Sequence, residues 1–137
     1  MSLSLLFVDY DPLAREAASA HLADEVFCVT TAKDGAEACA LMNQRGFDLV
    51  VLDLTMPKFD GLDVLRYVRS HAGHRDIPVM VLTGRTDEEA LFGALAEGAT
   101  FFSIKPVDWK LLRLQLRFLV RDQLPSCAAA PPMAESA

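Results

Sequence analysis

Four polar side chains, each placed directly after a short apolar stretch, could together bind a metal ion and a phosphoryl group. An apolar run of four residues is typical of a strand buried on both faces of a parallel sheet. Ligands of such sheets bind outside the carboxyl ends of the strands, so the residue after each run is a candidate functional residue. The four candidates are Asp9, Asp53, Thr83 and Lys105, after the runs 5–8, 49–52, 79–82 and 101–104.

The two carboxylates define the chemistry. If the first and third strands are neighbours, Asp9 and Asp53 face one crevice and repel each other by roughly several kcal/mol at an effective dielectric constant near 20. A hard divalent cation such as Mg²⁺ would relieve this repulsion, and Lys105 supplies a second positive charge. A carboxylate beside such cations can attack phosphorus, because they neutralise the charge that builds on the transferred oxygens. Asp53 is therefore a candidate phosphoacceptor.

The elements that must position these residues alternate along the chain. Short apolar runs alternate with amphipathic stretches, which is the pattern of βα repeats around a parallel sheet. Five such units predict an α/β fold, a flavodoxin-like doubly wound (βα)5 domain with a five-stranded parallel sheet in the order 2-1-3-4-5. The predicted strands are 5–8, 26–30, 49–52, 79–82 and 101–104, and the last helix is predicted over 108–124.

Composition limits the class of protein. The 137 residues are 52% hydrophobic, which suffices for one core and excludes disorder of the whole chain. A net charge of −6 argues against direct nucleic-acid binding. Three cysteines without metal-ligand spacing and the lack of a signal peptide or membrane span favour a cytoplasmic protein. We expect one domain over 3–124 and a flexible, Ala/Pro-rich tail or linker over 125–137.

The candidate residues lie in motifs that resemble those of the response-regulator receiver domain of two-component signalling. Each motif is weak alone, but their order and their positions at strand ends make the resemblance specific. It covers about 3–124. The motifs are Asp9 after the first strand, LDLTMP at 52–57, DG at 60–61, LTG at 82–84 and IKPV at 104–107.

The resemblance implies a role for each matched position. Asp53 would take a phosphoryl group from a histidine kinase or phosphotransfer protein. Asp9 matches the first of the acidic pair that holds Mg²⁺, and Thr55 matches the position whose backbone carbonyl completes the metal site. Lys105 would pair with the phosphoryl group, and it precedes Pro106 through what is usually a cis bond in the family.

The resemblance also implies a phosphorylation-dependent switch rather than an enzyme. Thr83 matches the hydroxyl that turns towards the phosphoryl oxygens, and Phe102 matches the aromatic whose rotamer follows. The face of the fourth helix, fifth strand and fifth helix would then change, and through it receivers form homodimers or contact a fused output domain. The last helix has more apolar residues than one core-facing stripe requires, which fits either such a face or a generously hydrophobic core helix.

One position departs from the family. Tyr10 stands where a second acid usually ligates Mg²⁺, so the sequence predicts weak Mg²⁺ binding and slow phosphotransfer. Asp11 is a possible substitute ligand, although an Asp before Pro12 is ordinarily a helix N-cap.

Two alternatives remain open at this stage. Tyr10 would suit a pseudo-receiver, a scaffold that binds partners without phosphate. An aspartyl-phosphate hydrolase also uses an Asp nucleophile beside Mg²⁺ and Lys, but it usually has a second acid where this chain has Thr55. Among other conspicuous residues, the three histidines are expected at the surface or at helix ends, and Cys28 and Cys39 are expected in the core.

Overall fold

The computed structural model describes residues 2–54, 61–84 and 88–124. Its strands and helices alternate as the sequence predicts. The strands are β1 (Leu3–Val8), β2 (Phe27–Ala32), β3 (Leu49–Asp53), β4 (Val79–Thr83) and β5 (Phe101–Ile104). The helices are α1 (Pro12–Leu22), α2 (Gly35–Gln44), α3 (Gly61–Ser70), α4 (Glu88–Ala96) and α5 (Trp109–Leu119).

The sheet confirms the predicted fold class and strand order. All five strands are parallel and lie in the order β2-β1-β3-β4-β5. Side chains alternate between two cores, because successive residues of a strand point to opposite faces. Leu6 and Val8 of β1 contribute to the core that also contains residues of α2 and α3, whereas Leu5 and Phe7 contribute to the core with α1 and α5. Strands buried on both faces explain the uninterrupted apolar runs.

The last helix is shorter than predicted. It ends at Leu119, and a 3₁₀ turn over Arg121–Gln123 follows. Val120 leaves the helical conformation with φ −109° and ψ 18°, while its side chain is buried in the core. The Arg121 guanidinium donates to the Phe118 carbonyl at 2.8 Å, at the end of the helix where carbonyls lack their usual helical partners.

Two predictions are wrong, one of burial for Cys28 and one of a surface position for His74. Cys28 is exposed because β2 is an edge strand of the sheet, so an apolar run does not guarantee burial on both faces there. His74 is buried rather than at the surface. Within the three described ranges, no helix is long and apolar enough to cross a membrane.

The burial of His74 depends on a defined pattern of hydrogen bonds. The Phe47 N–H donates to His74 Nε2 at 3.1 Å, so the proton of the neutral ring lies on Nδ1. His74 Nδ1 is 3.2 Å from His71 Nδ1 and donates to it. Arg45 and Tyr67 lie beside this pair, Arg45 over the Phe47 ring and Tyr67 against the His71 ring. A second proton on His74 would face the Phe47 N–H, so the fold requires the neutral ring.

We expect the neutral His74 ring to contribute stability that is lost when the pH falls from about 7 to 5. Burial, and next the neighbouring His71, lower the pKa of His74, so the unfolded chain binds a proton that the folded chain does not. This contribution is present above the unfolded His pKa of about 6.5 and is lost at a rate of up to about 1.4 kcal/mol per pH unit below it. Urea unfolding across this range measures the slope.

A matched pair of variants tests the assignment to His74. His74→Gln keeps an acceptor for the Phe47 N–H and should flatten the slope, whereas the exposed His21→Gln should leave it unchanged. An unchanged slope in His74→Gln would contradict the assignment.

Candidate phosphoacceptor site

The structure places the four sequence-predicted residues at one edge of the sheet. The register pairs Val8 with Leu52, so Asp9 and Asp53 follow neighbouring positions of β1 and β3. Thr83 ends β4, and its carbonyl accepts from the Lys105 N–H at 2.8 Å. Asp9, Asp53 and Thr83 are buried, and Lys105 is partly buried. The parallel sheet therefore gathers groups that lie up to 96 residues apart.

The Lys105 ammonium joins the two carboxylates. Its Nζ lies 2.9 Å from Asp9 Oδ2 and 3.4 Å from Asp53 Oδ2. Asp9 is only 1% exposed, whereas the Lys105 side chain is 28% exposed, so the pair opens to solvent on the lysine side. Two buried negative charges thus share one positive charge, and the cluster keeps an excess of negative charge that suits a further cation.

The pKa values reflect this imbalance. Burial raises the pKa of Asp9 above its ordinary value and outweighs the hydrogen bonds from the Asp11 N–H and Lys105 that lower it. Burial alone would lower the pKa of Lys105, but its hydrogen bond to Asp9 and the charge of Asp53 raise it. Lys105 therefore stays charged at neutral pH.

The turn between β1 and α1 orients Asp9. Its Oδ1 accepts from the Asp11 N–H at 2.9 Å, and its own N–H donates to the Ala32 carbonyl at 3.1 Å. The Arg15 guanidinium donates through Nη1 to the carbonyls of Asp9 and Tyr10, both at 2.9 Å. Arg15 was not among the residues predicted from the sequence; the available signal was a cation near the start of a helix, where negative groups are favoured.

A glycine brings α3 close to the end of β3. A Cβ atom at Gly61 would lie 2.7 Å from the Asp53 carbonyl oxygen and 2.7 Å from the Leu54 Cα. Such distances are far shorter than any van der Waals contact, so only glycine fits there without a backbone shift. Gly61 thereby lets α3 start directly against the candidate phosphoacceptor.

Asp9 and Asp53 offer oxygen ligands that suit Mg²⁺, and their excess negative charge favours a cation. Thr55, whose carbonyl the resemblance assigns to the metal site, lies outside the described residues. Asp11 caps α1 by accepting from the Leu13 N–H at 2.9 Å, and Tyr10 is 58% exposed. Among the residues that the structure describes, no three or more His, Cys, Asp or Glu side chains are grouped so that they could hold a metal together, so Asp9 and Asp53 are the acidic ligands on offer. The donor set fits Mg²⁺ with fewer acidic ligands than a fully acidic site.

The remaining predicted residues lie on β5 and just beyond it. Phe102 is half-buried and packs against the core that contains Val81, its neighbour in β4. The Lys105–Pro106 peptide is cis, as the resemblance implies. Phe102 lies in β5, and Lys105 directly follows the end of that strand, so a movement of Lys105 can reach Phe102 through three residues of backbone.

A parallel sheet in this order, with acids after β1 and β3, a hydroxyl at the end of β4 and a lysine after β5, defines a CheY-like α/β signalling fold. The family model of the response regulator receiver domain matches residues 5–117. The chain belongs to this family.

Comparison with individual proteins agrees with this family. The chain is 36% identical over 129 residues to the response regulator MprA of Mycobacterium bovis (strain BCG / Pasteur 1173P2) and 35% identical to that of Mycobacterium tuberculosis (strain ATCC 25177 / H37Ra). These matches cover 94% of this chain and 55% of each relative, so the chain spans about half the length of these relatives. The Vibrio cholerae chemotaxis protein CheY4 superposes with a TM-score of 0.82 at 30% identity, over 87% of this chain and 99% of that one.

Membership in the family establishes the general function. Receiver domains are phosphorylation-dependent signalling domains of two-component systems rather than classical enzymes. They interact with histidine kinases and generally bind Mg²⁺ at the phosphorylation site.

Proposed function

We propose that Asp53 accepts a phosphoryl group from the phosphohistidine of a cytoplasmic histidine kinase or phosphotransfer protein. The contact of Lys105 with both buried carboxylates carries this proposal. A carboxylate oxygen of Asp53 forms the new P–O bond while the P–N bond of the donor breaks and its electron pair returns to the imidazole. The Lys105 ammonium lies beside Asp53 and would bind the oxygens of the transferred phosphoryl group, which gain negative charge in this step.

Asp9 and Asp53, with the Thr55 carbonyl, are the groups that would hold Mg²⁺. When bound, Mg²⁺ supplies positive charge that screens the attacking carboxylate from the anionic phosphoryl group. The protein's own part is to keep the Asp9 carboxylate oriented through the Asp11 N–H and Lys105.

Phosphorylation would act on the ends of β4 and β5. A phosphoryl group adds about −1.5 to −2 charges and new acceptor oxygens, which the Thr83 hydroxyl and the Lys105 ammonium can bind. These residues are already joined by the hydrogen bond from the Lys105 N–H to the Thr83 carbonyl. A shift of Lys105 is therefore transmitted to β5, where Phe102 packs between the core and the surface. Only tighter binding in one of two states can change their populations.

The output surface is the apolar face of α4, β5 and α5. Its large side chains are 41–64% exposed although they lie on three consecutive elements. A groove of about 510 Å³ runs between β5 and α5, lined mainly by apolar groups of Phe101, Leu114, Phe118 and Leu119. An exposed apolar groove of this kind favours a protein partner, and we propose that this partner is a second copy of the chain. The exposed set is Phe92, Leu95, Phe101, Ile104, Leu111, Leu114 and Phe118.

Mass spectrometry tests the phosphoacceptor. After incubation with acetyl phosphate and Mg²⁺, the intact protein should gain the mass of one phosphoryl group, and Asp53→Asn should gain none. Asp63→Asn is the matched control, because Asp63 is an exposed aspartate on α3 that pairs with Arg66. No adduct on the wild type would favour a pseudo-receiver. Steady release of phosphate from a phosphate ester over many turnovers would favour a hydrolase.

Introducing an acid at position 10 should strengthen Mg²⁺ binding. Tyr10→Asp adds a carboxylate beside Asp9, and we expect Mg²⁺ affinity to rise by about tenfold or more, since ligand charge dominates the binding of hard cations. Calorimetric titration with Mg²⁺ measures the change. Tyr10→Phe adds no ligand and should bind Mg²⁺ as the wild type does. Equal affinities for the wild type and Tyr10→Asp would contradict the expected weak site.

Self-association should follow the phosphorylated state. Sedimentation velocity with the phosphoryl mimic beryllofluoride should show dimers of the wild type, and Phe118→Glu should remain monomeric because it places a charge beside the groove. Leu13→Glu changes another exposed apolar residue, on α1, and this variant should still dimerise. Monomers of the wild type with beryllofluoride would instead favour an output domain or another protein as the partner.

A further inference from the structure

Arg15 occupies a position that helix electrostatics disfavour. It is the fourth residue of α1, whose first turn contains no acidic side chain. The start of a helix carries partial positive charge from its free N–H groups, so a cation there is unfavourable. Residues that break such local preferences are often retained for a function.

The Arg15 guanidinium is used instead to hold the preceding turn. Its Nη1 lies 2.9 Å from the carbonyl oxygens of both Asp9 and Tyr10. These carbonyls follow the end of β1 and precede the first hydrogen-bonded turn of α1. Among the described residues, no backbone N–H donates to either of them. One charged donor therefore fixes two successive peptide groups.

The second of these peptide groups contacts the candidate site directly. The Tyr10 carbonyl and the Asp11 N–H belong to the same planar unit. Arg15 holds its oxygen, and its N–H donates to Asp9 Oδ1 at 2.9 Å. Because the unit is planar, fixing the oxygen fixes the direction of the N–H. A hydrogen bond to the oxygen also polarises the unit and strengthens the N–H as a donor.

Asp9 is then oriented from two sides. The Asp11 N–H holds Oδ1, and Lys105 Nζ holds Oδ2 at 2.9 Å. We propose that Arg15 is a positioning residue for phosphorylation, which keeps the Asp9 carboxylate aimed at the site through the Tyr10–Asp11 peptide group. The inference rests on the proposed function of Asp53. Position 10 thus serves the site through its backbone, while its phenol is exposed.

The test compares Arg15→Ala, Arg15→Lys and Lys33→Ala in the full chain. Lys33 is an exposed cation just after β2, at the same edge of the sheet as Asp9, and its side chain contacts none of the turn carbonyls. Adduct formation on Asp53 is followed by mass spectrometry at increasing acetyl phosphate concentrations. Amide hydrogen exchange at Asp11, measured by NMR, provides a readout that does not depend on phosphorylation.

We expect Arg15→Ala to lower the maximal rate by about ten- to a hundredfold, as removal of groups that orient a ligating side chain commonly does. The half-saturating donor concentration and the final stoichiometry should not change, because the role proposed for Arg15 is confined to the Asp9 and Tyr10 carbonyls. Asp11 exchange should accelerate. Arg15→Lys, which can reach one carbonyl, should restore part of the rate, and Lys33→Ala should match the wild type.

Three results would overturn the inference. The first is an unchanged phosphorylation rate together with unchanged Asp11 exchange in Arg15→Ala. The second is a changed half-saturating donor concentration, which would mean that Arg15 contacts the donor. The third is a reduced final stoichiometry that matches a loss of folded protein. If the wild type itself forms no Asp53 adduct, the proposed function fails, and Asp11 exchange still decides whether Arg15 holds the turn.

Discussion

Replacing Lys105 with Met is expected to lower the free energy of unfolding at pH 7 by roughly 2–3 kcal/mol. Removing one partner of a buried ion pair typically costs about 3–5 kcal/mol, and the partial exposure of Lys105 reduces this figure. The cost arises because the buried Asp9 and Asp53 lose the ammonium that contacts both of them. Urea unfolding of the variant and the wild type measures it.

The loss should shrink when the pH falls to about 5. The pKa of Asp9 is already raised by burial, and it rises further when Lys105 is removed. A carboxyl group with a raised folded-state pKa stabilises the fold at low pH, and this stabilisation is lost as the pH rises through that pKa. Protonation of the variant between pH 7 and 5 therefore relieves the repulsion.

Two further variants isolate the cause. Lys105→Met combined with Asp53→Asn removes one of the two carboxylates and should recover much of the lost stability. Lys110→Met, which removes an exposed cation from α5, should have a small effect at either pH. An equal loss at pH 5 and pH 7, or no recovery in the double variant, would show that charge imbalance is not the cause.

Arg69→Ala should destabilise the protein by about 2–4 kcal/mol, because it leaves two partly buried carbonyls, those of Gly98 and Ile77, without this donor. Arg69 Nε and Nη2 donate to the Gly98 carbonyl at 2.9 and 2.7 Å. Its Nη1 donates to the carbonyls of Arg75 and Ile77 at 3.0 and 2.6 Å. One side chain of α3 thereby ties the loop before β4 to the loop before β5.

The stabilising effect of Arg69 depends on the several donor nitrogens of its guanidinium group, not on its charge alone. Arg69→Lys keeps the charge but offers a single donor atom, so its free energy of unfolding should fall by a substantial part of the loss expected for Arg69→Ala. Arg66→Ala is the control, since Arg66 lies on the same helix and pairs with Asp63 and Glu97 in solvent. Urea unfolding ranks the three variants. A loss in Arg66→Ala equal to that in Arg69→Ala would argue against the role of the partly buried carbonyls.

Most of the fold followed from the apolar pattern. Runs such as 49–52 and 79–82 are buried on both faces, so their residues need no polar alternation, and they predict central parallel strands directly. The strand order and the family also agree with the sequence-based prediction. The prediction failed for Cys28 and for the end of α5, where position at the sheet edge and packing of Val120 override local pattern.

The site shows a similar division. Asp9, Asp53, Thr83 and Lys105 were predictable because each interrupts an apolar strand with a polar group at the same edge. Arg15 and Arg69 were not. A guanidinium can bind any carbonyl within reach, and the sequence does not state which loops folding will bring to it; Gly98 lies 29 residues from Arg69.

The sequence by itself thus determined the parallel sheet, the family and the set of residues at the carboxyl edge of the sheet, because the local pattern of hydropathy predicts which strands are buried and where they end. Only the tertiary structure decided that Lys105 contacts both Asp9 and Asp53. It also decided which ring nitrogen of His74 carries the proton, and that Arg15 binds the backbone carbonyl of Tyr10. These depend on distances between distant segments, where a shift of one ångström makes or breaks a hydrogen bond.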